Sequence, residues 1–567
     1  MRRPSSIGHE SFQFLPRSSD DGLAAAKTRL QPTCRTTYSD CCPNRRPGQS
    51  PPKPATHPHK LKTSHTPFGG FQRALARNHQ FLMLVMIRPY SICPIQHAQR
   101  SHRSPKVLAL WTLVLALLAS NPNVLAADWY LDSIAAGSNT GADRANAWTS
   151  PIRIAKTNVK PGDTIWVAPG NYADRLELLG FSDITVRILQ DSSAAAVFPS
   201  MQLYNCNFVT IDGLVGTNQF FFLNSKHPTL GHSVNLRLSA NLLLRGISID
   251  RNDSYELDTK QQHGIRVWNE CGKFVIEQCS VANTTGDGIN VTQINYTGSE
   301  SSKYDWITIR NCTLTRLGDD GIQLGANRKA QVLNCTMRQL GFKTFFGMHP
   351  DAIQLNPEGG NIWIEGNFME DFTQLVFLER VRSNVVICNN ILSSTKKKSA
   401  FMGIACSTLE PFEGDYVIAN NLFVDFRSYG AISASFPINR ANTIIANNIF
   451  LNCKRGTISS KQTDYVGPSN FWWDAPDTIW YDTDGNVAAP VVPRNFGQAL
   501  ARDPRLDRQN SYRPLPSSPV IGSAQNLSSL FVLDKDGRAR GDTWEAGPYS
   551  SSKSNTPTPP TGLRVVH

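Results

Sequence analysis

The 567-residue chain has no room for long helices between its short apolar runs. It has no C-x-x-C or Cys/His spacing of a zinc site, no glycine-rich phosphate loop and no Ser/His/Asp set. These gaps exclude zinc modules, nucleotide-phosphate enzymes and triad hydrolases. A basic surface is also missing where one would matter. The formal charge is +12, but residues 1–127 hold 17 Lys and Arg against 4 Asp and Glu, leaving 40 basic and 41 acidic residues for 128–567. A nearly neutral remainder has no broad field to draw in a polyanion, so no nucleic-acid partner is expected and any acidic ligand needs local neutralisation.

Residues 1–106 are rich in Pro, Ser, Arg and His, lack sustained periodicity, and are expected to be disordered or a spurious extension. The run VLALWTLVLALLA then follows Arg100, Arg103 and Lys106 and leads to Ala126 and Ala127, the pattern of a signal peptide over 107–127. It is short for a membrane span, so no stable membrane insertion is expected after its removal. The product is expected to be secreted, periplasmic or at the cell surface. Because a signal belongs at an N-terminus, translation is expected to start near Met86. Residues 550–567, SSSKSNTPTPPTGLRVVH, have the composition of a disordered tail.

Eight cysteines follow the signal, an even count that by itself suggests disulfides. Their setting argues otherwise. Cys206, Cys279, Cys312 and Cys335 share one frame (YNCNF, EQCSV, RNCTL, LNCTM), and Asn367, Asn390, Asn421 and Asn448 continue it. From Cys279 to Asn448 the intervals are 33, 23, 32, 23, 31 and 27 residues, each enough for three short strands and three turns. Cys and Asn at one bend of a stacked coil, with no disulfide between them, is the expectation. The ladder is expected to stop after Asn448, where the aromatics of SNFWWDAPDTIWYDTDG would cap the last coil or offer a sugar-stacking platform. At the other end, DWYL, a short helix around Trp148–Thr157 and the turn-strand-turn KPGDTIWVAPGNY would close the first coil.

A second repeat lies inside the first. TTGDGINV, GDDGIQL and HPDAIQL align Asp287, Asp320 and Asp351 in one column, at intervals of 33 and 31 residues. Strand alternation sends Ile and Val/Leu inward and sets Arg266, Asn290, Gln323 and Gln354 in an outward row that suits an extended glycan. Equivalent residues on stacked coils lie about 4.8 Å apart. Three carboxylates at that spacing need a proton, a cation, Arg or Lys, or a substrate to neutralise them.

With these marks, and with the ending SSPVIGSAQ and DKDGRARGDTWEAGPY, residues 128–549 resemble a secreted, right-handed parallel β-helix of the pectate-lyase-like superfamily. The resemblance implies an all-β solenoid of about ten coils with capped ends, acting as a monomer on a polysaccharide. GDDGIQL further resembles the Gly-Asp-Asp motif of polygalacturonase-type hydrolases. Carried over, Asp287, Asp319 and Asp320 would supply the acid and the water-activating base of inverting hydrolysis. The Gly-His-Gly and Arg-Ile-Lys of those enzymes are absent. His349 and Asp351 stand near the first, and Glu379, Arg380 and Arg382 follow on the next coil. The same inventory serves β-elimination on a uronate glycan. His349 would be the base, and Arg380, Arg382 or a Ca²⁺ held by Asp319, Asp320 and Asp351 would neutralise the carboxylate. β-Elimination is the preferred expectation; inverting hydrolysis, C5-epimerisation and non-catalytic carbohydrate binding are the alternatives.

Overall fold

The structure, a computed structural model, describes residues 126–551. Excepted are 190–193, 215–219, 223–231, 252–261, 269–270, 293–305, 326, 340–349, 357–358, 396–401, 427–429, 436–442, 454–456, 460–468, 474–479, 482–486 and 489–502. The expectations for residues 1–125 and for the tail beyond 551 lie outside the described residues. No helix among the described residues is long and apolar enough to cross a membrane.

Short strands stack in parallel, coil on coil, to form three walls. One wall holds Ile265–Val267, Ile289–Val291, Ile322–Leu324 and Asp351–Leu355, paired in that order. The next holds Phe274–Glu277, Ile307–Arg310, Ala330–Leu333 and Ile362–Glu365. Two long strands, Gln374–Cys388 and Met402–Ala419, run through the corner and fuse these walls into one 21-stranded sheet. The third wall is a separate 12-stranded sheet that ends at Phe471–Trp473. Inward Val, Ile, Leu and Phe from all three walls make one continuous core.

The bend ladder forms as expected and is longer. Asn390 shows its pattern: its side-chain oxygen accepts the Asn367 N–H at 2.9 Å, and its amide donates to the Ile364 carbonyl at 2.9 Å. Asn421 and Asn448 repeat the pattern, and Asn470 extends it, since the Asn448 N–H meets its side-chain oxygen at 3.0 Å. The ladder therefore passes Asn448 by one coil, because SNFWW carries the same frame. Cys312 and Cys335 put S–H on the equivalent carbonyls, Ile276 at 3.7 Å and Ile309 at 3.8 Å. All eight described cysteines are buried, and none is disulfide-bonded. The left-handed residue of each bend is the one before the ladder residue: Asn311, Asn334, Gly366, Asn389, Asn420 and Asn447.

At the N-terminal end, Asp128–Leu131 pairs with Thr164–Val167 and Trp148 stacks on Trp129 at 5.4 Å. The helix expected at 148–157 is only a 3-10 turn, Pro151–Arg153. Pro151 suits a first turn, but the Trp148 ring is committed to the core and the segment is too short to continue. Residues 503–551 do more than cap an end. They run back along the outside of the second wall, where Leu527, Phe531 and Trp544 cover Val386, Cys388, Val417 and Ala419. Successive bends hold this strap. Lys535 Nζ donates to the Gly366 carbonyl, Arg540 Nη2 to Asn389 Oδ1 at 2.7 Å, Asn420 Nδ2 to the Glu545 carbonyl at 2.8 Å, and Asn447 Nδ2 to the Gln525 carbonyl at 2.8 Å.

Candidate functional site

The Asp column stands where expected, at the entry to the first wall's strands. The glycines after Asp287 and Asp320 are there because coils meet closely: a Cβ on Gly288 or Gly321 would lie 2.8 Å or 2.4 Å from a carbonyl oxygen of the next coil. Each carboxylate receives the backbone N–H one coil on. Asp287 Oδ1 accepts from Asp320 N at 3.2 Å, Asp320 Oδ1 from Asp351 N at 2.8 Å, and Asp351 Oδ1 from Gln374 N at 3.1 Å. All three carboxylates are buried, whereas Asp319 is partly open.

Sequence reasoning missed two histidines of this column. His232 and His263 precede Asp287 in register, and the signal was available, since HSVNL and HGIRV share the frame of DGINV. Their rings stack at 5.0 Å. His263 Nδ1 lies 3.2 Å from Asp287 Oδ2, and its Nε2 lies 3.1 Å from Arg266 Nη1. Burial, with His263, Arg266 and Arg251 nearby, lowers the His232 pKa to about 3, so that ring is neutral.

The two central carboxyls are pushed in opposite directions. For Asp320, burial and then the facing carboxylates of Asp287, Asp351 and Asp319 raise the pKa well above the usual carboxylate range. Burial also disfavours a charge on Asp287. There the His263 imidazole, the Asn290 amide and the Asp320 N–H outweigh it and hold the carboxyl below that range.

Asp287, Asp319 and Asp320 each offer an oxygen within 4.8 Å of the others. At an effective dielectric constant near 20, two charges at that distance repel by about 3–4 kcal/mol, so the three do not share full charge without a proton or a cation. The cation set expected from sequence was Asp319, Asp320 and Asp351. Asp287 takes the place of Asp351, which lies one coil further on with an oxygen held by Gln374.

The outward row is in register but is not an open groove. Arg266 donates to Asn290 Oδ1, Asn290 Nδ2 to Gln323 Oε1 at 2.6 Å, and Gln323 Nε2 to Gln354 Oε1 at 2.8 Å. Arg266, Asn290 and Gln354 are buried, with Gln323 partly open, because amides one coil apart satisfy one another before any ligand does. Phe377 ends the row. Arg380 and Arg382 are exposed. Gln374 is the partner of Asp351, and Arg380 follows six residues later on the same strand, where its left-handed backbone turns the chain. His349 lies outside the described residues.

Residues 294–470 match the family model "Right handed beta helix region". No curated protein matches the chain. Similar solved structures include a rhamnogalacturonan lyase (12% identity, 57% of this chain and 87% of that one, TM-score 0.36). A GH136 lacto-N-biosidase from Eubacterium ramulus (10%, 66% and 67%, TM-score 0.39) and the pectate lyase Pel9A (14%, 75% and 96%, TM-score 0.37) are others. Likeness at this distance is silent on the reaction. Three parallel walls, one bend ladder and the family match make the chain, in fold, a right-handed parallel β-helix.

Proposed function

We propose that the chain cleaves an acidic, uronate-containing polysaccharide by β-elimination at the carboxylate cluster, with Asp319 as its open member. The crowding of Asp287, Asp319 and Asp320 carries this reading. Oxygens within 4.8 Å are closer than the roughly 6.5–9.5 Å between the carboxyls of an inverting pair, which must admit a water. A crowded, all-oxygen set suits a hard divalent cation such as Ca²⁺, and these three residues would hold it. When bound, the ion would neutralise a uronate carboxylate and so acidify the C5 proton. Asp287 and Asp320 are fixed from behind by the His263 and Asn290 contacts and the Asp351 N–H, and the partly exposed Asp319 would face the glycan. His349 stays the candidate base, and the cation is the neutraliser. The protein acts as a monomer outside the cytoplasm, after loss of its signal.

Hydrolysis is the second reading, favoured by the opposite environments of Asp287 and Asp320. A carboxyl that keeps its proton beside one that does not is the pattern of an acid and a base. Incubating the full chain with a panel of uronate and neutral glycans, with and without chelator, separates the two. An unsaturated-uronate chromophore that needs divalent cation is the expected result. Reducing ends without a chromophore, unaffected by chelator, would replace β-elimination by hydrolysis. Binding without either product would leave a carbohydrate-binding protein.

A further inference from the structure

Behind the cluster, His263, Arg266, Asn290 and Asp287 close a ring of contacts around the Asp287 carboxyl. Arg266 Nη1 reaches both His263 Nε2, at 3.1 Å, and Asn290 Oδ1. Asn290 Nδ2 donates to Asp287 Oδ2, and His263 Nδ1 faces the same oxygen at 3.2 Å. All four residues are buried, and the Arg266 guanidinium lies over the Trp268 ring at 4.8 Å.

The donor inventory decides where the imidazole proton sits. Arginine has only donors, so its contact with Nε2 requires that nitrogen to accept. The proton is then on Nδ1, aimed at Asp287 Oδ2. The competing arrangement has Nδ1 accept the Asp287 N–H, 3.0 Å away, which would repeat the pattern of the rest of the column. It would also set Nε2–H against an Arg266 N–H. Bonds with a charged partner are roughly twice as strong as neutral ones. Arg266 to His263 and His263 to the carboxylate are two such bonds, against one neutral bond in the alternative, and together they outweigh the roughly 1–3 kcal/mol of taking that acceptor from the Asp287 N–H.

We infer that His263 is a positioning residue: held by Arg266, its Nδ1–H and the Asn290 amide fix Asp287 Oδ2 inside the wall and turn Oδ1 toward Asp319 and Asp320. The orientation itself is independent of the reaction; its consequence for a cation rests on the function proposed above.

Two measurements on the full chain test this. In ¹⁵N-histidine spectra, with a His263→Asn sample to assign the signal, the His263 proton should sit on Nδ1, with Nε2 left to accept from Arg266. A proton on Nε2 would overturn the inference whatever the protein's activity. In calorimetric titrations with Ca²⁺ alone, His263→Leu should weaken binding about tenfold or more, in the range typical of lost outer-shell partners. His263→Asn, whose amide can donate to the same oxygen, should stay close to the parent. Equal affinity in His263→Leu and the parent would also overturn it. If the parent itself binds no Ca²⁺, the cation reading of function falls, and the ring proton alone decides the orientation.

Discussion

Asp320 and Asn390 show how one buried side chain can serve the stack or strain it. The raised Asp320 carboxyl contributes fully below the unfolded value of about 3.9, and that contribution is lost as pH rises through its higher folded value. Asp320→Asn keeps an oxygen for the Asp351 N–H and removes the charge. In chelator, its melting temperature should match the parent in acid and exceed it above that window, while cleavage activity is lost. Parallel pH profiles would refute the shift. Asn390→Ala strands the Asn367 N–H and the Ile364 carbonyl in the core, at about 1–3 kcal/mol for each group. Asn390→Cys should recover part of that loss in urea melts, because Cys335 already meets an equivalent carbonyl.

The inward half of this logic was legible, since the Cys and Asn frame gave the ladder and its freedom from disulfides. The meaning of the doubled Asn was not. In Asn389-Asn390, Asn420-Asn421 and Asn447-Asn448 the first residue adopts the left-handed bend and holds the strap outside, while the second holds the neighbouring coil inside. No local pattern marks a partner 78 to 144 residues away. His263 escaped for a different reason: a frame defined by aspartate hides a histidine that fills the same place.

At the scale of elements, wall strands are held in register by charge as well as by shape. Arg187, Asp212, Arg245, Glu277 and Arg310 occupy one row of the second wall on successive coils. Asp212 accepts from Arg245 Nε at 2.9 Å and lies 3.2 Å from Arg187 Nη2, and Glu277 accepts from Arg310 Nε at 2.6 Å. Signs alternate, so a strand displaced by one coil would set like charges together. The row was invisible in the sequence because its members are 25 to 33 residues apart and their alignment needs the register first. Burial works against the Asp212 charge, but the Arg245 bond and the nearby Arg187 hold its carboxyl below the usual range. Its contribution is therefore present above about pH 3.9 and lost as pH falls through the lower folded value. Asp212→Asn should cost about 2 kcal/mol in urea melts at neutral pH, and that difference should vanish in acid.

On the scale of the molecule, the coil stack was readable from spacing, and the strap that runs along it was not. Residues 503–551 form few regular elements, and their apolar positions follow no period because they match four different coils. Trp544 is buried against Phe531, with ring centroids 5.3 Å apart, and Arg540 lies over it at 5.2 Å. Trp544→Ala should cost about 3–5 kcal/mol, the usual range for a buried large aromatic, measured by denaturant melts.

Because the strap meets Gly366, Asn389, Asn420 and Asn447 in turn, it is a ruler laid against four rungs. Removing residues 390–420 would join one left-handed Asn to the next ladder Asn and keep every neighbour bond in frame, yet it would shorten the stack by one strand spacing, about 4.8 Å, while the ruler kept its length. All four rungs lie at or beyond Gly366, so removing 312–334, between two ladder cysteines, would leave them in place. Coil number in this protein is thus gauged in one half and open to change in the other.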